Sequence, residues 1–294
     1  MTRTAVLARR LFDRFEPIHA VTYFAPEALD ALSAAGYRGL GMGYFAGRSA
    51  PLGQVVPELV AALFHNFADR QVSRVLPDAW TYAPPAVALS IREQSAAAAL
   101  RRYGMTDETA RAAADIMADA AVAGEVGGYP MYAANLALPW PSDPVARLWH
   151  AVTLLREHRG DGHIAVLTAC GISGRESNLL HAAAGRVSKA FIMRSRAYDE
   201  TEWQRCHDKL ARRGLLDAEG DLTPSGRALK DRIETDTDEL ALRIWDGLDD
   251  DRLETLFAVL TPLTRQVVAA GDVPSDTPMG LARHELSDDS AHLT

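Results

Sequence analysis

Apolar residues return at helical spacing along most of the chain, and prolines and glycines cut the pattern into segments. Leu7, Leu11, Phe12, Phe15, Ile18 and Phe24 recur near a 3.6-residue period, which predicts a helix from residue 5 onward. Pro26 and Glu27 read as the first turn of a second helix over 26–35. Residues 36–53 hold six glycines, and the apolar stretch 54–67 predicts another helix. Three prolines between Leu76 and Pro85 predict a rigid connection, followed by helices at about 86–103 and 106–123. Residues 124–144 contain GEVGGYP and LPWPSDP, which cannot continue a helix and mark a linker. Further helices are expected at 144–158, 162–170, 173–185, 200–213, 224–246 and 249–270. The division is an N-terminal helical domain at 1–123, a second domain at 145–274 and a polar tail at 275–294. His19-Ala-Val-Thr22 recurs as His150-Ala-Val-Thr153, which points to two related halves.

The most specific pattern is WQRCHDKLARRGLLDAEGDLTPSGRALKDRIE at 203–234. A helix ends at Arg213, and Gly214 can adopt the left-handed conformation of a helix stop. Leu215 and Leu216 start a strand, Asp217 to Gly220 turn, and Asp221 to Thr223 return. Thr223 then caps a helix with Pro224 in its first turn. This order resembles the winged helix of MarR-type proteins over roughly 165–270, and the whole chain resembles a group of actinobacterial helix-turn-helix proteins. The resemblance implies a mainly α fold in which the second half is a winged helix. That unit would carry a short two-stranded wing and long C-terminal helices able to form a homodimer.

Charge qualifies what the resemblance implies. The net charge is −8, and the wing tip Asp217-Ala218-Glu219-Gly220-Asp221 carries three carboxylates and no cation. Carboxylates beside phosphates oppose the electrostatic source of nucleic-acid affinity, so nucleic acid is a disfavoured partner. If DNA is bound, Arg175 and Asn178 are the base-reading candidates, with His181 as a third. Arg186, Lys189, Arg194 and Arg196 supply the basic run beyond them. No apolar run is long enough to span a membrane, and no secretory signal is visible. Two cysteines give no disulfide framework, and a cytoplasmic protein with no membrane partner is expected.

Candidate chemistry gathers in two places. REHRGDGH at 156–163 offers Glu157, His158, Asp161 and His163 as acid–base groups, joined by His150 on the same segment. The bland alternative has Gly160 ending one helix and Asp161 capping the next. Metal spacing of the HExxH kind is missing, so no metal is assigned. In the glycine-rich stretch Arg48 sits near Tyr37, Tyr44 and Phe45 and could hold an anionic or aromatic ligand, with His19 and Tyr23 as a second polar strip. Gly41 to Gly47 loosely echo a dinucleotide loop, but a helix rather than a strand precedes them, so no cofactor is expected. The leading expectation is a small, partly aromatic ligand bound between the halves, with DNA binding reduced or lost. The alternatives are a MarR-like ligand-responsive regulator and a cofactor-free acid–base enzyme.

Overall fold

The computed structural model describes residues 3–274 and Leu286, so the expected polar tail lies almost wholly outside the described residues. The N-terminal half holds α1 (Ala5–Phe24), α2 (Pro26–Ala34), α3 (Gly39–Ser49), α4 (Pro57–Leu63), α5 (Asp69–Tyr82), α6 (Pro85–Arg102) and α7 (Asp107–Val122). The rest holds α8 (Pro130–Leu136), α9 (Pro144–Ala169), α10 (Gly174–Ala183), α11 (Lys189–Ser195), α12 (Glu200–Arg212), α13 (Pro224–Leu242) and α14 (Asp250–Ala270).

Helix starts follow local chemistry. Proline occupies the first turn of α2, α4, α6, α8, α9 and α13, where its missing N–H is no loss. Thr106, Asp143, Ser173, Ser188, Asp199, Thr223 and Asp249 each accept a backbone N–H as N-cap. Ser173 and Glu176 form a reciprocal capping box on α10.

The main core surrounds α9, which packs its Leu148, Trp149, Val152 and Leu155 into a cluster shared with α1, α6 and α7, while α14 packs on α1 and α7. α14, the helix that the resemblance would give to dimerisation, has Leu253, Leu256, Phe257 and Leu260 fully buried against this chain. A second core, including Leu179, Ile192, Trp203, Leu210 and Leu216, holds α10, α11 and α12 together. Phe45, Phe64, Phe67 and Val72 form a third cluster beside it.

Some expectations need correction. The two-stranded wing does not form; a single antiparallel bridge joins Leu216 to Leu222. Only a short turn separates those residues, and Asp217 closes it by accepting the N–H groups of Glu219 and Asp221. Gly226, at the start of α13, packs so tightly on this turn that a Cβ there would lie 2.0 Å from the Leu215 carbonyl oxygen. The connection at 76–85 is mostly helix, because α5 runs through Pro77. Val72, Leu76 and Ala79 bury one face of α5 while Ser73 and Pro77 lie on its exposed face, where a carbonyl that loses its partner to proline is not sealed from solvent. The glycine-rich stretch, for which no element is expected from sequence, forms α3. Finally, α9 is unbroken at Gly160. A helical glycine costs only about 1 kcal/mol, less than the burial of Val166 and Leu167 beyond it returns.

Asp161 therefore cannot cap a helix starting at 162. Its carboxylate instead accepts the N–H groups of Met131 and Tyr132, each at 2.9 Å, and caps α8 across space. α8 occupies the stretch expected to be linker, with Met131, Tyr132 and Asn135 fully buried.

Candidate ligand-binding site

One face of α9 carries Arg156, Arg159, Gly160, His163, Ile164 and Leu167, a repeat of three and four residues that lines a single cavity of about 760 Å³. α1 contributes Arg9, Phe12, Glu16 and Tyr23 at helical spacing, and α3 contributes Tyr44, Phe45 and Arg48. The loop from Phe64 to Phe67 closes one side. α10, α11 and α13 supply the opposite wall, including Asn178, His181, Phe191, Arg196, Lys230 and Glu234. The cavity thus lies between α1, α3 and α9 on one side and α10, α11 and α13 on the other. His65 (φ 36°) and Ala197 (φ 51°) hold left-handed backbone conformations, uncommon outside glycine. His65 sits in the wall, and Ala197 directly follows Arg196.

Charge in the wall is unequal. Seven cations (Arg9, Arg48, Arg156, Arg159, Arg186, Arg196 and Lys230) face four carboxylates (Glu16, Asp231, Glu234 and Asp238). Most are already paired. Glu157, 2% exposed behind the wall, receives Arg48 at 3.2 and 3.3 Å and Arg156 at 3.0 Å. Burial opposes its ionisation, but Arg156 and Arg48 prevail and hold its pKa down at about 2. Burial raises the pKa of Glu16, which Arg156 approaches at 3.4 Å. Arg159 bonds Asp238 at 2.7 Å, Arg9 bonds Asp238 at 2.9 Å and also Glu234, and Lys230 bonds Glu234.

Arg196 differs. Its guanidinium lies 4.1 Å over the Phe67 ring, it has no carboxylate partner among the described residues, and its Nε is buried without a hydrogen bond. Ser195 Oγ, His181 Nε2 and His65 Nε2, also in the wall, are likewise buried and unpartnered. Burial lowers the His181 pKa to about 4, so its imidazole is neutral at pH 7. Unpaired buried polar groups are costly, and here they converge on an open space beside a cation.

The sequence candidates scatter and regroup. Tyr23, Tyr44, Phe45, Arg48 and His163 line the cavity. His19 stands behind Tyr23, with Nε2 3.0 Å from the Tyr23 hydroxyl and Nδ1 3.1 Å from Thr153 Oγ1, so the two echoed segments meet. Tyr37 lies elsewhere, donating to Ala83 O among α5 and α6 side chains. His150 packs edge-on against Trp140, and His158 stacks on Tyr129 at 4.3 Å. Burial holds both near a pKa of 4, and neither lines the cavity. His163 donates through Nδ1 to Thr237 Oγ1 at 2.9 Å, because that hydroxyl already donates to Ile233 O. An unbroken helix sends 150, 158 and 163 in different directions, so the expected acid–base cluster does not assemble. Among the described residues no group of three His, Cys, Asp or Glu side chains is placed to hold a metal ion.

The DNA-contact candidates also divide. Asn178, 2% exposed, donates to Asn66 O and Tyr198 OH. Arg175 lies 3.5 Å over Tyr198 and bonds Glu202. Arg196 turns into the cavity, and Arg186 is an exposed residue at its edge. Lys189 and Arg194 are exposed, Lys189 lying 3.6 Å from Glu200. The sequence reading missed Arg156 and Arg159, whose signal was the 156/159/163 spacing on one helical face.

Among the described residues these features define a mainly helical protein in which α10, α11 and α13 form one wall of a cationic and aromatic cavity. The profile of a helix-turn-helix family matches residues 8–274, and the chain belongs to that family. No curated protein and no solved structure matches it. Among the described residues no helix is long and apolar enough to cross a membrane.

The Asp161 cap makes a pH prediction. Burial, only partly offset by the Tyr132 and Met131 N–H groups, raises its pKa to about 7 from an ordinary 3.8. A raised carboxyl pKa contributes stability that is complete below the unfolded value and lost as pH rises through the folded one. The difference in stability between wild type and Asp161→Asn, which keeps the accepting oxygen, should therefore shift against wild type between pH 4 and 7. Urea unfolding across that range checks this, and a pH-independent difference would show that the carboxyl is not perturbed.

Proposed function

We propose that the protein binds a small, partly aromatic anion in the cavity between its halves, and that α10–α12, read as its helix-turn-helix, serve this site more than they serve DNA. The observation that carries the reading is Arg196, a guanidinium with no carboxylate partner in an aromatic-walled space large enough for such a ligand. Arg48, the residue the sequence favours for this task, is already held by Glu157. The binding of 1-anilinonaphthalene-8-sulfonate, an aromatic anion, tests the assignment. Arg196→Met should weaken it about tenfold to a hundredfold, the scale of a hydrogen bond to a charged group, with the unfolding midpoint little changed. Equal affinity in both proteins would remove Arg196 from the site and the reading with it.

A second reading keeps DNA as a partner. α12 turns Gln204, Arg205, Lys209 and Arg212 to solvent, a face able to meet phosphates. Against it stand the acidic turn at 217–221 and the ion pair that commits Lys209 to Glu176 at 3.0 Å. On the proposed reading, mobility-shift assays with the DNA upstream of its own gene show no salt-dependent complex at moderate ionic strength. Specific binding near 10⁻⁸ M, typical of repressors, would reverse the order of the two readings.

A further inference from the structure

Two phenols meet in the cavity wall, and the groups behind them give the two hydroxyls opposite roles. Thr153 donates its hydroxyl proton to Trp149 O at 2.9 Å. A hydroxyl has one proton, so the 3.1 Å contact with His19 Nδ1 is an imidazole N–H donating to Thr153 Oγ1. His19 is 2% exposed, and burial keeps its pKa well below the ordinary value, so the ring is neutral and Nε2 carries a bare lone pair. The Tyr23 hydroxyl, 3.0 Å from that nitrogen, must donate to it. Tyr23 thus has oxygen lone pairs to offer the cavity and no proton.

Tyr44 is the reverse. Arg48 Nη1 donates to its oxygen at 3.3 Å, and its own proton has no acceptor among the described residues. The two rings lie 4.8 Å apart and tilted by 51°. Both line the cavity, and each hydroxyl has a partner other than its neighbour, His19 for Tyr23 and Arg48 for Tyr44. The Arg48 guanidinium is itself fixed by Glu157 and by the Phe64 ring 4.3 Å beneath it, so Tyr44 cannot easily exchange its role.

Resting on the reading of the cavity as a ligand site, we propose that Tyr23 and Tyr44 form an acceptor–donor pair that selects a hydroxylated aromatic anion. One hydroxyl group of the ligand donates to Tyr23 and accepts from Tyr44, while its acidic group lies toward Arg196. A ligand with hydrogen in place of that hydroxyl leaves both phenols unsatisfied in a desolvated wall, and a site built to bond a hydroxyl discriminates strongly against its absence. An ether in the same place satisfies Tyr44 and leaves Tyr23 without a donor.

The test uses 6-hydroxy-2-naphthoate and 2-naphthoate, which share ring and charge and differ by the hydroxyl alone. Titration calorimetry on the full chain should give the hydroxy compound at least about tenfold tighter binding, the scale of one or two hydrogen bonds. Tyr23→Phe and Tyr44→Phe should each bring that ratio to within about threefold while leaving 2-naphthoate affinity in place. Retained 2-naphthoate binding also certifies that each variant is folded. Equal binding of the two naphthoates by wild type overturns the pair and leaves the anion site standing. A tenfold ratio that survives both substitutions also overturns it. Binding of neither compound overturns the ligand reading, and the pair with it.

Discussion

Replacing Glu157 by Gln is expected to lower stability by about 3–5 kcal/mol, the range for removing one partner from a buried ion pair. The carboxylate is 2% exposed and is shared by Arg48 and Arg156. Glutamine fills the same space and leaves two buried guanidiniums short of one negative charge. Arg156 keeps Glu16, but Arg48 keeps no carboxylate, only the neutral Tyr44 oxygen and the Phe64 ring. Urea unfolding at pH 7 measures the loss, and a change below about 1 kcal/mol would mean that water reaches the pair and screens it. The double variant Arg48→Met with Glu157→Gln should lose less than the two single losses added, because the uncompensated charge is gone. The pH dependence has a definite sign. With its pKa depressed from 4.5 to about 2, Glu157 contributes stability that is present above pH 4.5 and lost as pH falls toward 2. The glutamine variant should lack that part of the acid transition.

Gly174→Ala should be about as damaging, for a steric reason. A Cβ at Gly174 would lie 1.8 Å from the carbonyl oxygen of His65 and 2.8 Å from the backbone nitrogen of Asn66. Neither side can move away easily. Ser173 and Glu176 fix the start of α10 by their capping box, and Asn178 holds the facing loop by donating to Asn66 O at 2.9 Å. Overpacking against backbone belongs at or above the upper end of the usual range of about 1–3 kcal/mol. Since the displaced loop carries Phe64 and Phe67 into the cavity wall, binding of 1-anilinonaphthalene-8-sulfonate should fall together with the unfolding midpoint. An alanine variant with wild-type stability and binding would show that the two segments do not approach this closely in solution.

Much of the helical outline is legible because its determinants are local. The caps at Ser173, Thr223 and Asp249 act within three residues of where they stand, and Pro224 and Pro144 announce helix starts by geometry alone. Local reading fails where tertiary burial outweighs a weak breaker. Pro77 and Gly160 look like stops, but the residues around them bury faces whose stabilisation exceeds the local cost. The wing fails in the opposite sense. Its strands are too short to pair beyond one bridge, so a sequence order that resembles a winged helix produces only a turn.

For the site, the sequence by itself determined the inventory: an Arg among glycines and aromatics at 48, the phenols at 23 and 44, the ionisable run at 156–163 and the acidic turn at 217–221. It also determined that His19 and His150 begin matching segments. Only the tertiary structure decided partnership. Arg48 meets Glu157 across 109 residues and Arg9 meets Asp238 across 229, while Arg196, from a run that reads as a DNA patch, is the guanidinium left facing the cavity. The physical reason is that charge pairing depends on distance and on exclusion of water. Neither is encoded within a few residues of a side chain; both are set by which helices bury which faces.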